Sequence, residues 1–293
     1  MTFWLSILEQ GLIFGIMVLG VYITYRILDF PDLSVDGSFP MGAAVTAVCL
    51  VGGMNPFLAS FLSFLAGMAA GSFTGLLHVK LKITNLLSGI LVMIGLYSIN
   101  LRIMAKSNIP LFQQTTIFSY PLHPLIVIGL FALVSKLLLD FFLKTKLGFV
   151  LKATGDNHQL VTSLGIDKGL IIILGLAISN GLVALSGSIM AQSQRFADVG
   201  MGSGIIVMGL ASIIMGQALF KRFTFIQVTT VALIGSVLYK GAMALALELN
   251  FPPTDLKLIS AVIVVIALSL NNKVFTANLS RWFGKKNGGD RHD

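Results

Sequence analysis

Apolar blocks of about 17–25 residues recur along this chain, separated by short polar turns, and each matches the length needed to cross a bilayer as a helix. Backbone N–H and C=O groups in hydrocarbon must be satisfied within the protein, so such blocks are helical. The other spanning solution, a β-barrel, requires short segments of alternating polarity, and none is visible. Composition argues against a soluble fold. Of the 293 residues, 56% are apolar and only 11% charged, whereas soluble domains carry roughly 25% charged residues. Mean hydropathy is +0.91. The sequence predicts an all-α, polytopic membrane protein.

Hydropathy places about nine transmembrane helices, near 7–28, 36–54, 56–78, 84–104, 122–142, 169–190, 203–220, 224–247 and 254–271. The first block follows Glu9 rather than a basic segment and has no small-residue cleavage site after it, so it reads as a retained span. Two connections are longer than the rest. The stretch 105–121 is polar and aromatic and lies on one membrane face, and 143–168 is polar and basic. No linker divides the chain. Residues 1–271 read as one transmembrane domain, with a loop at 144–168, and 272–293 as a charged, frayed cytoplasmic tail.

With the N-terminus outside, fourteen of the 20 Lys and Arg residues fall on the inner side, four on the outer side, and Lys136 and Lys240 within spans. Cytoplasmic loops carry the basic excess, so this orientation is expected. The same bias accounts for the net charge of +8 without a nucleic-acid partner. With an odd number of spans, any relation between spans 1–4 and 6–9 is an inverted repeat, a common plan in transporters. DLSVDGSFPMG at 32–42 and DVGMGSGIIVMG at 198–209 echo one another before Gly-rich spans, although their spacings differ. Gly67, Gly71 and Gly75 share one face of the third span, where small residues let helix backbones approach closely.

Catalytic motifs are absent. The four histidines form no HExxH pair, no GxSxG elbow occurs, and a single cysteine, Cys49, excludes an intrachain disulfide and a cysteine metal cluster. There is no GxxxxGK followed by Ser or Thr, so the chain cannot hold ATP in the P-loop manner. Transport energy would come from an ion gradient or a separate subunit.

Three regions carry candidate chemistry. The first is FPDLSVDGSFPMGA at 30–43, where Asp29, Asp32 and Asp36 cluster with Gly37, Ser38 and Pro40. Pro40 removes a backbone donor, which predicts a broken or re-entrant helix near 36–42 lining a cavity. The alternative is an ordinary helix start in a solvated loop, since Ser and Asp are good N-caps. The second is the 144–169 stretch, where Asp156 or Asn157 can cap a short amphipathic helix with Leu160, Val161 and Leu164 on one face, stopped by Gly165. It suits docking to a partner or resting on lipid headgroups. The third is a set of polar residues within spans: Asn85, Ser88, Tyr97, Asn100, Ser179, Asn180, Ser186, Ser212, Gln217 and Lys240. Such groups face other helices or a water-filled path. Lys240 pairs with Glu248, snorkels, or serves an ion relay.

DLSVDGSF at 32–39, GFVLKATGDNHQLVTSLGID at 148–167 and GSGIIVMGLASIIMGQALF at 202–220 resemble segments of the permease subunits of bacterial ABC importers of the branched-chain amino acid and ribose type. DLSVDGSF is similar to that family's DLSVGS signature, with Asp36 inserted before Gly37, and the 148–167 segment is similar to its coupling loop. LSGILVMIGLYSINLRIM at 87–104 resembles a subgroup paired with a lipoprotein-type substrate-binding protein. The resemblance implies a multi-pass homodimer in the bacterial cytoplasmic membrane, with ATPase subunits on the inner face and a binding protein outside. ATP and Mg would bind the ATPase, and this chain would carry no cofactor. Gly148, Lys152, Gly155, Asp156, Asn157, Leu160, Leu164 and Gly165 would form the coupling element. Asp36, Ser38, Asn85, Ser88, Asn100 and Asn180 would line the path of a small solute, tryptophan or another amino acid such as a branched-chain one. The alternative is an ion-coupled secondary transporter, which would want more membrane-embedded charge than this chain carries.

Overall fold

A computed structural model of the chain describes residues 2–156, 158–163, 165–220, 227–249, 252, 255, 258–263 and 265. The described elements are almost all helical: α1 (Thr2–Tyr22, continued by a π-turn at Ile23–Ile27), α2 (Val35–Val51), α3 (Pro56–Val79), α4 (Asn85–Met104), α5 (Pro124–Lys144), α6 (Lys146–Asp156), α7 (His158–Ser163), α8 (Lys168–Gln194), α9 (Ile205–Phe220) and α10 (Val228–Glu248). Among the described residues, seven helices are long and apolar enough to cross a membrane, and α2 is a shorter apolar helix of 17 residues. The ninth predicted span, 254–271, lies largely outside the described residues, as does the 272–293 tail.

α8 is the hub of the bundle. It runs antiparallel to α1, with Ser179 Oγ donating to the Gly20 carbonyl at 2.7 Å and Ser186 Oγ to the Ile13 carbonyl at 2.6 Å. It runs antiparallel to α3 as well. A Cβ at Gly71 would overlap the Leu176 carbonyl, one at Gly67 the Asn180 carbonyl, and one at Gly75 would press on the Ile173 backbone. The predicted small-residue face is therefore a backbone-to-backbone contact. In lipid there is little hydrophobic drive between helices, so close packing and interhelical hydrogen bonds hold them together.

Sequential helices alternate in direction and sort the loops onto two faces. On one face Asn108–Pro110 (β1) pairs antiparallel with Phe196–Asp198 (β2), tying the 105–123 loop to the segment after α8. The Gln192 side chain adds a bond, its Oε1 accepting from the Ile117 backbone N–H at 3.0 Å. These contacts mark the hairpin face of the bundle; the opposite one, carrying α6 and α7, is the α6 face.

The break expected at 36–42 lies earlier. α2 runs unbroken through Pro40 from Val35, and the irregular backbone is the stretch 28–34. Pro40 costs the Asp36 carbonyl its helical donor. That carbonyl instead faces Gly202, where a Cβ would overlap it. The continuous helix is thus compatible with proline because the disturbed turn sits against a glycine.

Candidate functional site

From Ile27 the chain leaves α1 at the α6 face and doubles back into the bundle. Asp32 is 1% exposed and Ser34 fully buried. Asp32 Oδ1 accepts from the Ser34 backbone N–H at 2.9 Å and from its hydroxyl at 2.6 Å. Asp32 Oδ2 accepts from Asn180 Nδ2 at 2.8 Å, and Asn180 Oδ1 accepts from the Ser38 hydroxyl at 2.7 Å. Asn180 also donates to the Leu176 carbonyl at 3.0 Å. A buried carboxyl group is tolerable when its oxygens find hydrogen-bond partners, and this network gives Asp32 three donors, with no cation beside it among the described residues. Asn180 lies near the middle of the 27-residue α8, so the network sits at mid-bundle depth.

The next acid has a different task. Asp36 Oδ2 accepts from the Gly204 N–H at 2.9 Å and Oδ1 from the Ile206 N–H at 2.8 Å. The first turn of α9 is therefore capped by a side chain from α2, with its charge complementing the positive helix end. From this junction α2 climbs toward the hairpin face, Thr46 meeting Ser188 at 2.6 Å. α9 descends the other way, its Gly209 against Val21 and Met17 and its Gly216 against Val231. Two helices begin head to head at mid-depth, the discontinuous arrangement that places transporter sites at the membrane midplane.

The packing scheme repeats with direction reversed. α1 packs on α10 as α8 packs on α3; α2 packs on α8 as α9 on α1; α2 packs on α3 as α9 on α10. Asp198 repeats the local turn of Asp32, its Oδ1 accepting from the Gly200 N–H at 2.7 Å. Asp36 and Gly202, each four residues beyond its aspartate, touch one another. The Met-Gly pairs at 41–42 and 208–209 also correspond, each glycine packing on the central helix of the opposite half, with one extra residue before α9 explaining the unequal spacing.

Between α2, α4 and the Val199–Gly202 turn lies a cavity of about 490 Å³ lined by Asp36, Pro40, Tyr97, Ser98, Asn100 and Ser203 among others. Asn100 Nδ2 donates to the Gly37 carbonyl at 3.2 Å, while its buried Oδ1 has no hydrogen-bond partner among the described residues. Of the predicted path residues, Asp36 and Asn100 line this cavity. Ser38 and Asn180 are buried in the network behind it. Asn85 and Ser88 open α4 below it, and the Ser88 hydroxyl donates to the Asn85 carbonyl at 2.8 Å. The structural weight of Asp32 and the Asp198 turn is not legible in the sequence by itself; the shared Asp before each Gly-rich helix is the signal for both.

On the α6 face, α6 continues almost directly from α5, an eleven-residue helix where the sequence predicts a loop. Gly148 lets it fold against the α5 end, where a Cβ would overlap the Phe142 carbonyl, and Lys152 Nζ donates to the Leu143 carbonyl at 3.3 Å. Gly155 presses on the Ile27 carbonyl so closely that a Cβ would overlap it. Asp156 is the last described residue of α6, helical and exposed; Gly165 has φ +72° and closes the turn after α7, its N–H donating to the Thr162 carbonyl at 3.1 Å. Asn157, Leu164 and the Leu160 side chain lie outside the described residues.

A mid-depth junction of two oppositely directed helices, inside an inverted bundle, defines a membrane transport protein. The chain belongs to the family described as branched-chain amino acid transport system, permease component, whose model matches residues 3–268. It is a multi-pass membrane protein and a permease subunit of an ABC importer, with no catalytic role assigned to such subunits. It is 54% identical to a tyrosine transport system permease protein of Clostridioides difficile, over 92% of this chain and 91% of that one. An uncharacterized protein of Rickettsia prowazekii is 38% identical, over 92% of this chain and 98% of its own. A galactofuranose transporter permease protein of Escherichia coli is 24% identical, over 93% and 84%. No solved structure matches.

Proposed function

We propose that this chain forms the path by which an aromatic amino acid crosses the bacterial cytoplasmic membrane in an ATP-driven importer. The aromatic class rests on the tyrosine named for the 54% identical relative; tryptophan fits the same class better than a branched-chain solute does. Two copies of the chain make the path. ATPase subunits, which hold ATP and Mg, dock on α6 and α7 from the cytoplasm. A lipoprotein-type binding protein delivers solute to the hairpin face.

The observation that carries this reading is the contact of Gly155 with the Ile27 carbonyl. A partner that displaces α6 moves Ile27 directly. Ile27 is joined by a few residues of irregular backbone to Asp32 and, in the first turn of α2, to Asp36 at the cavity. Docking on one face is thus coupled mechanically to the mid-depth junction, where a shift of α2 against α9 opens one side and closes the other. Asp36, Tyr97, Ser98 and Asn100 contact solute, whereas Ser38 and Asn180 hold the junction in register. Asn85 and Ser88 flank the exit toward the α6 face.

The test is co-purification in mild detergent, combined with uptake of radiolabelled tyrosine, tryptophan and leucine by cells expressing the complete system. An ATPase subunit accompanies the wild type and is lost with Asp156→Arg, and tyrosine or tryptophan enters at least tenfold faster than leucine. Uptake that proceeds without any ATPase and stops when the ion gradient is collapsed would sink this reading in favour of an ion-coupled transporter.

A further inference from the structure

Lys240 takes no part in the site above. Glycine contacts set the register of α10 on α1: Gly11 lies against Val237, Gly15 against Leu233, and Gly241 beside Ile7. The Lys240 backbone is therefore level with Leu8. Its ammonium, however, lies 3.5 Å from the ring centroid of Phe14, more than a helical turn further along α1 and deeper in the bundle. The side chain points inward, so it does not snorkel to the hairpin face. Nor does it pair with Glu248. Lys136 and Asp140, by contrast, do form an ion pair, at 2.7 Å.

An inward-directed ammonium in a membrane bundle needs compensation. The aromatic face supplies a part of it, occupying one side of a group with three donors. Lys240 also lines a cavity of about 630 Å³, together with Phe3, Gln10, Met208, Met243 and Glu248 among others. That volume falls within the roughly 300–1,000 Å³ of small-molecule sites. The walls are mainly apolar, with the Gln10 amide available for a second polar contact. Glu248, at the exposed end of α10, disfavours a ligand with two negative charges.

We propose that this α1–α9–α10 cavity binds a head group with a single anionic group on an apolar body, with Lys240 as the charge partner of that group. Two sources share that chemistry: the carboxylate of an amino acid solute and the phosphate of an anionic lipid entering from the bilayer. The site is separate from the cavity at Asp36 and stands independently of the function proposed for it.

The experiment uses the full chain in nanodiscs. In phosphatidylcholine discs, binding of tritiated L-tyrosine is measured against tyramine, which lacks the carboxylate; in parallel, retention of phosphatidylglycerol is read by native mass spectrometry. Measurements on Asp36→Asn separate any tyrosine held at the other cavity. A Lys240 ligand is weakened at least tenfold in Lys240→Gln and stays within about threefold in Lys240→Arg. Loss of tyrosine binding identifies the carboxylate source, and loss of phosphatidylglycerol identifies the lipid. A measurement on the wild type covers the case of a misfolded variant: the bound anion slows reductive methylation of Lys240 at least tenfold relative to Lys136. The proposal is overturned if neither anion binds the wild type, if Lys240→Gln binds both as well as wild type does, or if neither anion protects the amine.

Discussion

Asn180 and Ser186 lie six residues apart on α8, and both bond to a neighbouring element, yet their losses differ in kind. Ser186 supplies a single hydroxyl to the Ile13 carbonyl. Interhelical bonds of that sort average about 0.6 kcal/mol in a membrane protein, so Ser186→Ala is nearly silent. Asn180→Leu strips the donor from Asp32 Oδ2 and the acceptor from Ser38, leaving a buried carboxylate half matched. Unmet buried groups cost about 1–3 kcal/mol each, and more when charged, so this variant is less stable by about 3 kcal/mol or more. Unfolding of the purified variants in mixed detergent separates the two; equal losses would mean that the Asp32 network has no special weight. Asn180 stands out in the sequence because an amide in an apolar span needs a partner. The partner itself stays hidden there, since Asp32 lies 148 residues away.

At the scale of elements, glycine content alone does not separate contact from ornament. Gly71 on α3 abuts the Leu176 carbonyl, whereas Gly129 on α5 has open space where a Cβ would go. Gly129→Ala therefore gains up to about 1 kcal/mol of helix propensity and preserves folding, while Gly71→Leu drives α3 off α8 and abolishes recovery of monodisperse protein. The pair is read by size-exclusion chromatography in detergent, and a Gly71→Leu protein that elutes like wild type would refute the backbone contact. Gly155→Val probes a different link. Its side chain displaces α6 from Ile27, so the ATPase is expected to remain bound while solute uptake falls more than tenfold; undiminished uptake would break the mechanical connection from α6 to the Asp36 cavity. Helix positions are legible because hydropathy reports span length directly. The head-to-head start of α2 and α9 is not, because the Asp36 cap on α9 bridges 168 residues. Pro40 also points to the wrong place for the break, since sequence cannot show that Gly202 makes room for the disturbed turn.

For the whole molecule, the distribution of basic residues predicts which face meets the cytoplasm. Among the described residues, Arg26, Lys80, Lys82, Lys144, Lys146, Lys152 and Lys168 lie at the α6 face, whereas Arg102, Lys106 and Arg195 lie at the hairpin face. Cytoplasmic loops carry the basic excess, so this asymmetry predicts that the α6 face is the inner one. Cysteine labelling tests it in a Cys49→Ser background. Gln113→Cys is exposed in the hairpin-face loop and Lys146→Cys is exposed on α6. A membrane-impermeant maleimide added to spheroplasts should modify Gln113→Cys at once and Lys146→Cys only after permeabilisation. The opposite pattern would put α6 and α7 outside, where no ATPase could reach them, and the contact of Gly155 with Ile27 would have to serve the binding protein instead.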